Sequence, residues 1–253
     1  MNERRVITRY INDLLSVAGF DDYCPNGLQV EGSGKIGHIV SGVSISLDLI
    51  TKAIELKADA ILVHHGLFWK GDSQSVTGIV KNRLALLLQY NINLLAYHLP
   101  LDTHKIYGNN ALFAKCMGLA ISGTFELLGV PGLGFYSELE HALDAAAIED
   151  KLTTKLQRKP LHLSAGTSRM IKKIAWCSGA AQDGIIKAKE LGADAYISGE
   201  VSERSYYLAK ELDIHYFAAG HHATEIFGVR SLGEHLASKF NLKHSFINAE
   251  NPV

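Results

Sequence analysis

Apolar positions near the start of the chain recur with a helical period. Val6, Ile7, Tyr10, Ile11, Leu14 and Leu15 are separated by charged or polar residues, which predicts an amphipathic helix with one buried stripe. The pattern then changes. Residues 36–43 are apolar and β-branched, 48–56 return to helical spacing, and 59–63 form a short apolar run, so strand, helix and strand follow in turn. Further on, helical spacing over 79–89 leads into the apolar run 93–96, and helical spacing over 203–211 leads into 215–218. Strands that alternate with helices predict a parallel sheet with right-handed crossovers and helices on both faces.

The two halves of this pattern resemble each other. Residues 36–66 align with 171–201 without a gap at an offset of 135, sharing eleven identities in 31 positions. These include Ile39/Ile174, Asp48/Asp183, Lys52/Lys187, Glu55/Glu190, Asp59/Asp194 and Ala60/Ala195. Likeness resumes at a second offset, with 93–96 opposite 215–218. The chain therefore predicts an α/β protein of two duplicated three-layer α/β/α domains with mainly parallel sheets, one over 1–121 and the other over 122–253. In the second, a glycine-punctuated strand pair is expected near 124–136 and a helix over about 137–156. A final strand at 243–247 is placed at a sheet edge.

Composition narrows the class. The 253 residues are 47% hydrophobic and 20% charged, with Lys+Arg 25 against Asp+Glu 26, so a large non-specific nucleic-acid footprint is disfavoured. The N-terminal helix lacks the continuous apolar core of a signal peptide, and no uncharged apolar run reaches the length of a membrane span. Cys24, Cys116 and Cys177 are scattered and odd in number, which argues against a disulfide framework or a paired-cysteine zinc site and favours a reducing cytoplasm.

The twelve histidines change the picture most, because several fall at predicted strand ends, where parallel α/β sheets bind ligands. His64, His65 and Gly66 follow the strand 60–63. The strand 93–96 is followed by a stretch carrying His98, Asp102 and His104. In the second copy Gly199 and Glu200 follow one strand, and Gly220, His221, His222 and Glu225 follow the next. Imidazole with carboxylate suits zinc, manganese, iron, cobalt or nickel. If a helix begins near His221, then His221 and Glu225 share one face of its first turn. His64 and His65, adjacent in a turn, can diverge towards two ions. A carboxylate such as Glu225 or Asp102 can bridge ions roughly 3.5–4 Å apart. His98 and His104 are candidate proton-transfer residues, and Glu200 is expected to face the same cleft. Isolated histidines such as His38, His141, His162, His235 and His244 read as core or surface residues. The glycine-rich stretch 129–134 lacks the lysine of a phosphate loop and reads as turns. Residues 21–32, DDYCPNGLQVEG, read as a structured loop.

At these motifs the chain resembles the NIF-three family of dinuclear metal-centre proteins, also called the GTP cyclohydrolase 1 type 2 family. The resemblance is carried by DDYCPNGLQVEG (21–32), KADAILVHHGLFWKG (57–71), YHLPLDTHKIYGNN (97–110), SGEVSE (198–203) and AAGHHATEIFGVR (218–230). It implies that His64, His65, Asp102, His221 and Glu225 ligate two divalent metal ions per chain, in a cleft between two α/β/α domains. It also implies a homohexameric ring. The expected activity is metal-assisted hydrolysis of a nucleotide or related small molecule, of GTP cyclohydrolase or of phosphatase or phosphodiesterase type, with a non-catalytic, metal-dependent binding or regulatory protein as the alternative.

Overall fold

The computed structural model describes residues 1–164, 166 and 169–253, and these divide into two compact units. The first comprises Met1–Leu101 with Gly228–Glu250, and the second Asp102–Phe227 with Asn251–Val253. Both are mixed α/β units, as the alternating pattern predicts.

The first unit is built on a five-stranded sheet in the order Lys243–Phe246, His38–Ser44, Ala60–His65, Asn93–Ala96, Gly27–Val30. All neighbours are parallel except the last, which runs antiparallel to Asn93–Ala96. Helices Leu47–Glu55 and Gly78–Gln89 connect the parallel strands. Ser46 caps the first of these by accepting a hydrogen bond from the Leu49 amide (3.1 Å), which satisfies a donor the helix cannot pair internally. The core holds Val40, Ile50, Ile61, Val63, Leu87 and Leu94. Strand 60–65 is buried at every position but its last, as a sheet covered on both faces requires.

The second unit carries a six-stranded sheet in the order Gly123–Leu127, Val130–Leu143, Ile171–Cys177, Ala195–Ser198, His215–Ala218, Leu161–Leu163. Its three central strands are parallel and the flanking ones antiparallel. Helices Gly184–Glu190 and Glu203–Glu211 make the crossovers. Phe113, Phe135, Trp176, Ile197 and Phe217 form its core.

The aligned segments adopt the same local structure. Ile39 pairs with Ala60 and Ile174 with Ala195, so both strand pairs share one register. Asp59 accepts from the amides of Gly37 and His38 (2.7 and 2.9 Å), and Asp194 from those of Lys172 and Lys173 (2.9 and 3.0 Å). In each, a short loop carboxylate ties the start of one strand to the start of the next.

Two sequence expectations are corrected. The division does not fall at 121/122. Residues from Asp102 onward join the second unit because helix Asn109–Met117 sinks Ala111, Phe113, Ala114 and Met117 into its core. Gly228–Glu250 belong to the first, because Lys243–Phe246 extends its sheet beside His38–Ser44. The helix expected from 137 begins only at Ala145. Residues 137–143 continue a strand against Ile171–Cys177, and Asp144 then caps the helix by accepting from the Ala147 amide (2.8 Å). Among the described residues no helix is long and apolar enough to cross a membrane.

Candidate metal centre

In the first unit, the strand Ala60–His65 delivers two imidazoles at its carboxyl end. His64 is fully buried, and its Nδ1–H donates to the Tyr97 carbonyl (2.9 Å). A carbonyl can only accept, so the lone pair lies on Nε2, the arrangement that orients a histidine for a metal. His65 Nδ1 pairs with the Ser44 hydroxyl (2.8 Å). The His64 and His65 rings lie 4.6 Å apart, and the His98 ring lies 5.0 and 5.8 Å from them. These three residues offer ligand atoms all within 4.8 Å of one another. Gly66 leaves room for the Gln29 amide, which a Cβ would displace and whose oxygen accepts from the Leu67 amide (2.7 Å).

The loop 21–26 grips His98. Asp22 takes the His98 Nδ1–H on one oxygen (2.7 Å) and the Asn26 amide and Leu99 N–H on the other (2.8 and 3.0 Å). Asn26 in turn accepts from the His98 amide (2.7 Å). Burial would raise the Asp22 carboxyl, but the bond and charge of His98, with the Asn26 and Leu99 donors, hold it below the ordinary value.

The second unit gathers Asp102, His221 and Glu225. Asp102, 5% exposed, accepts from Asn109 Nδ2 (2.8 Å) and the Ser178 hydroxyl (3.3 Å). Asn110 links the same region to the core, because its side-chain oxygen accepts from the Ser178 amide (2.8 Å) and its carbonyl from Trp176 Nε1 (3.0 Å). Helix His221–Phe240 begins at His221, so His221 and Glu225 stand one turn apart, Nε2 to Oε2 at 3.1 Å. The other His221 nitrogen meets Glu200 (2.7 Å). Burial alone would lower the His221 imidazole, but the Glu225 and Glu200 carboxylates outweigh it and push it up to about 9. Oxygens of Asp102 and Glu225 approach within 4.8 Å. Gly179, at φ +67°, leaves room for the Glu225 carboxylate that a side chain would displace.

This donor set fits a divalent cation. Asp102 and Glu225 are buried carboxylates whose oxygens come within 4.8 Å of each other, an arrangement that positive charge stabilises and that supplies hard oxygen ligands. The buried imidazole of His64 presents Nε2 as a ligand atom. Cys24 stands beside the first cluster, within 4.8 Å of ligand atoms of Asp22 and His98, whereas Cys177 lies near Asp102 and Glu225, where burial and then those charges push its thiol well up.

Of the residues singled out by sequence, His64, His65 and His98 meet within the first unit, and Asp102, His221, Glu225 and Glu200 within the second. His104 is used locally: its Nδ1 accepts from the Ile106 and Tyr107 amides (3.2 and 3.0 Å), and its ring stacks on Tyr107. It belongs to no three-residue ligating cluster among the described residues. Sequence reading missed Asp22, Asn26, Asn109 and Ser178, although the first two lie in the 21–32 motif and Asn109 in 97–110.

Fold and clusters together define an α/β protein whose buried His/Asp/Glu groups can hold metal. The chain belongs to the Duf34/NIF3 (NGG1p interacting factor 3) family, whose model matches residues 2–252. A relative from Vibrio cholerae, named GTP cyclohydrolase 1 type 2 homolog, is 45% identical over 245 residues, covering 96% of each chain. Among solved structures, the structural-genomics protein ybgI, described as of unknown function, superposes with a TM-score of 0.94 at 41% identity, over 99% of this chain and 100% of that one. A Thermus thermophilus protein gives 0.88 at 31% identity over the same shares.

Proposed function

We propose that His64, His65, Asp102, His221 and Glu225 hold two divalent metal ions, and that the chain is a metal-dependent hydrolase of a nucleotide or related small molecule. The observation that carries this reading is the buried His64 imidazole beside His65 in one unit, and the buried Asp102 and Glu225 carboxylates beside His221 in the other. Bound ions of this kind supply Lewis acidity and bring the pKa of water towards neutrality. The relatives' name makes GTP the first substrate to test.

His98 is the proton-transfer residue in this reading, and His104 is not. Asp22 fixes the His98 ring through Nδ1, which leaves Nε2 to accept or return a proton. His104 stacks on Tyr107 and joins no three-residue ligating group among the described residues. A homohexameric ring belongs to the same proposal on the strength of family membership. We also read the two units as an internal duplication, a reading supported by the common strand register and the equivalent Asp59 and Asp194 bonds.

The decisive experiment purifies the protein without chelator, measures metal content, and assays formate release from GTP with manganese, zinc, iron, cobalt and nickel. Close to two ions per chain and chelator-sensitive turnover are expected. Well under one ion per chain would remove the metal centre, and loaded protein that releases no product from GTP would remove the cyclohydrolase. Variants that weaken an association while no turnover exists would favour the regulatory alternative.

Asn109→Ala probes support of the site without touching a ligand. Loss of the bond to Asp102 is expected to weaken metal affinity about ten- to hundred-fold, with the far-ultraviolet circular dichroism unchanged. An affinity within about two-fold of wild type would show that Asp102 does not depend on Asn109 for its orientation.

A further inference from the structure

The first unit contains a cavity of about 500 Å³ that the metal chemistry leaves unused, and its size is that of a small-molecule site. Four aromatic residues, Phe20, Tyr23, Phe68 and Trp69, are among those that line it, with the exposed Asp21 and Lys70. Asp22 and Asn26, the residues that grip His98, line it too. The Trp69 ring stands edge-on to His98 at 5.3 Å and lies 5.8 Å from His65, while Tyr23 lies 6.1 Å from His98. A ligand in this cavity is therefore next to the imidazole cluster.

The walls are held in place before any ligand arrives. The Lys70 amide donates to the Tyr23 carbonyl (2.6 Å), tying the two wall segments together. Phe68 packs on the hydrophobic core of the unit. Asn26 is bonded to Asp22, and Gln29 Nε2 to the Pro25 carbonyl (2.9 Å). Pre-formed aromatic walls favour a flat ring, because stacking rewards planarity and the walls need not be ordered on binding.

We infer that this cavity is the seat of a purine-type base with a donor edge, held by stacking on its aromatic walls and by the Asp21 carboxylate. A carboxylate accepts two parallel N–H bonds from a ring N–H and an adjacent exocyclic amino group, as on the guanine edge. The adenine edge presents a ring acceptor there, which would face the carboxylate unpaired. Lys70 supplies a donor for a carbonyl or phosphate oxygen. This deepens the proposed nucleotide hydrolase and rests on that reading for its orientation towards His65 and His98.

The chain has two tryptophans, and Trp176 is buried in the other core, so Trp69 reports the cavity directly. The metal-loaded protein is titrated with guanosine monophosphate, adenosine monophosphate and ribose 5-phosphate while fluorescence is followed. Saturable quenching by guanosine monophosphate is expected, at least about ten-fold tighter than by the adenine nucleotide, with none from ribose 5-phosphate. Trp69→Phe should remove the signal. Asp21→Asn should erase the preference for guanine, and Tyr23→Ala should weaken binding about ten-fold, both with metal content unchanged. Equal response to ribose 5-phosphate, or quenching that survives Trp69→Phe, would overturn the base site. Base binding without turnover removes the hydrolase and keeps the cavity assignment. Turnover of GTP that is indifferent to Asp21→Asn and Tyr23→Ala does the reverse.

Discussion

Glu225→Ala is expected to lower metal affinity by more than about a hundred-fold and to abolish metal-dependent turnover. Removing an outer partner of a ligand already costs ten- to hundred-fold, and Glu225 is proposed as a ligand itself. The carboxylate is 2% exposed, lies 3.1 Å from His221 and approaches Asp102 within 4.8 Å, so no water-exposed group can take its place. The fold should survive, because the substitution deletes a buried charge and His221 keeps Glu200 as a partner. Metal titration with thermal unfolding separates these effects. Added metal should raise the melting temperature of wild type, since an ion that binds only the native state stabilises it, and should leave the variant unmoved. Glu234→Ala is the control: it removes an exposed partner of Arg230, a pair worth at most about 1 kcal/mol, and should change neither readout. A Glu225→Ala protein that retains full metal content would exclude Glu225 from the centre.

The second large effect is on stability. Trp176→Ala should cost about 3–5 kcal/mol, the range for truncating a buried large aromatic side chain. Trp176 is 1% exposed, packed between Phe113 and Phe135 with ring centroids 6.2 and 6.0 Å away. Its indole N–H also satisfies the Asn110 carbonyl, which would be left buried without that donor. Asn110 also holds the Ser178 amide, and Ser178 reaches Asp102, so metal affinity should fall together with stability. Denaturant unfolding measures the first effect and metal titration the second. Trp176→Phe, which keeps most of the apolar volume, should recover much of the stability. A loss under about 1 kcal/mol for Trp176→Ala would mean that the core refills the space.

Much of this protein is legible along the chain because its information is local. Periods of two and of 3.6 mark strands and helices, and both parallel cores follow from them: helix Glu203–Glu211 and strands Asn93–Ala96 and His215–Ala218 lie where the pattern puts them. Side chains at the carboxyl ends of parallel strands are likewise predictable, which is why His64, His65, His221 and Glu225 stand out before any coordinates. Over 137–143 the apolar residues Leu139, Ala142 and Leu143 do not alternate, and the helix-forming composition of SELEHALDAAAIEDKL masked the point at which Asp144 starts the helix.

Long-range partnerships were not legible. Asp22 meets His98 across 76 residues, and Asp102 meets Ser178 across the same separation. Nothing local distinguishes Asp22 from its neighbour Asp21, yet one fixes an imidazole and the other borders a cavity. Lys243–Phe246 reads as an edge strand, but its partner His38–Ser44 lies some two hundred residues earlier. Sequence alone determined the α/β class, the repeated strand–helix–strand unit and the histidines and carboxylates at strand ends, because each depends on spacing within a few turns or pleats. Only the tertiary structure decided where the units divide, which donors orient His98 and Asp102, and which aromatic residues form a cavity, because those depend on how distant segments pack.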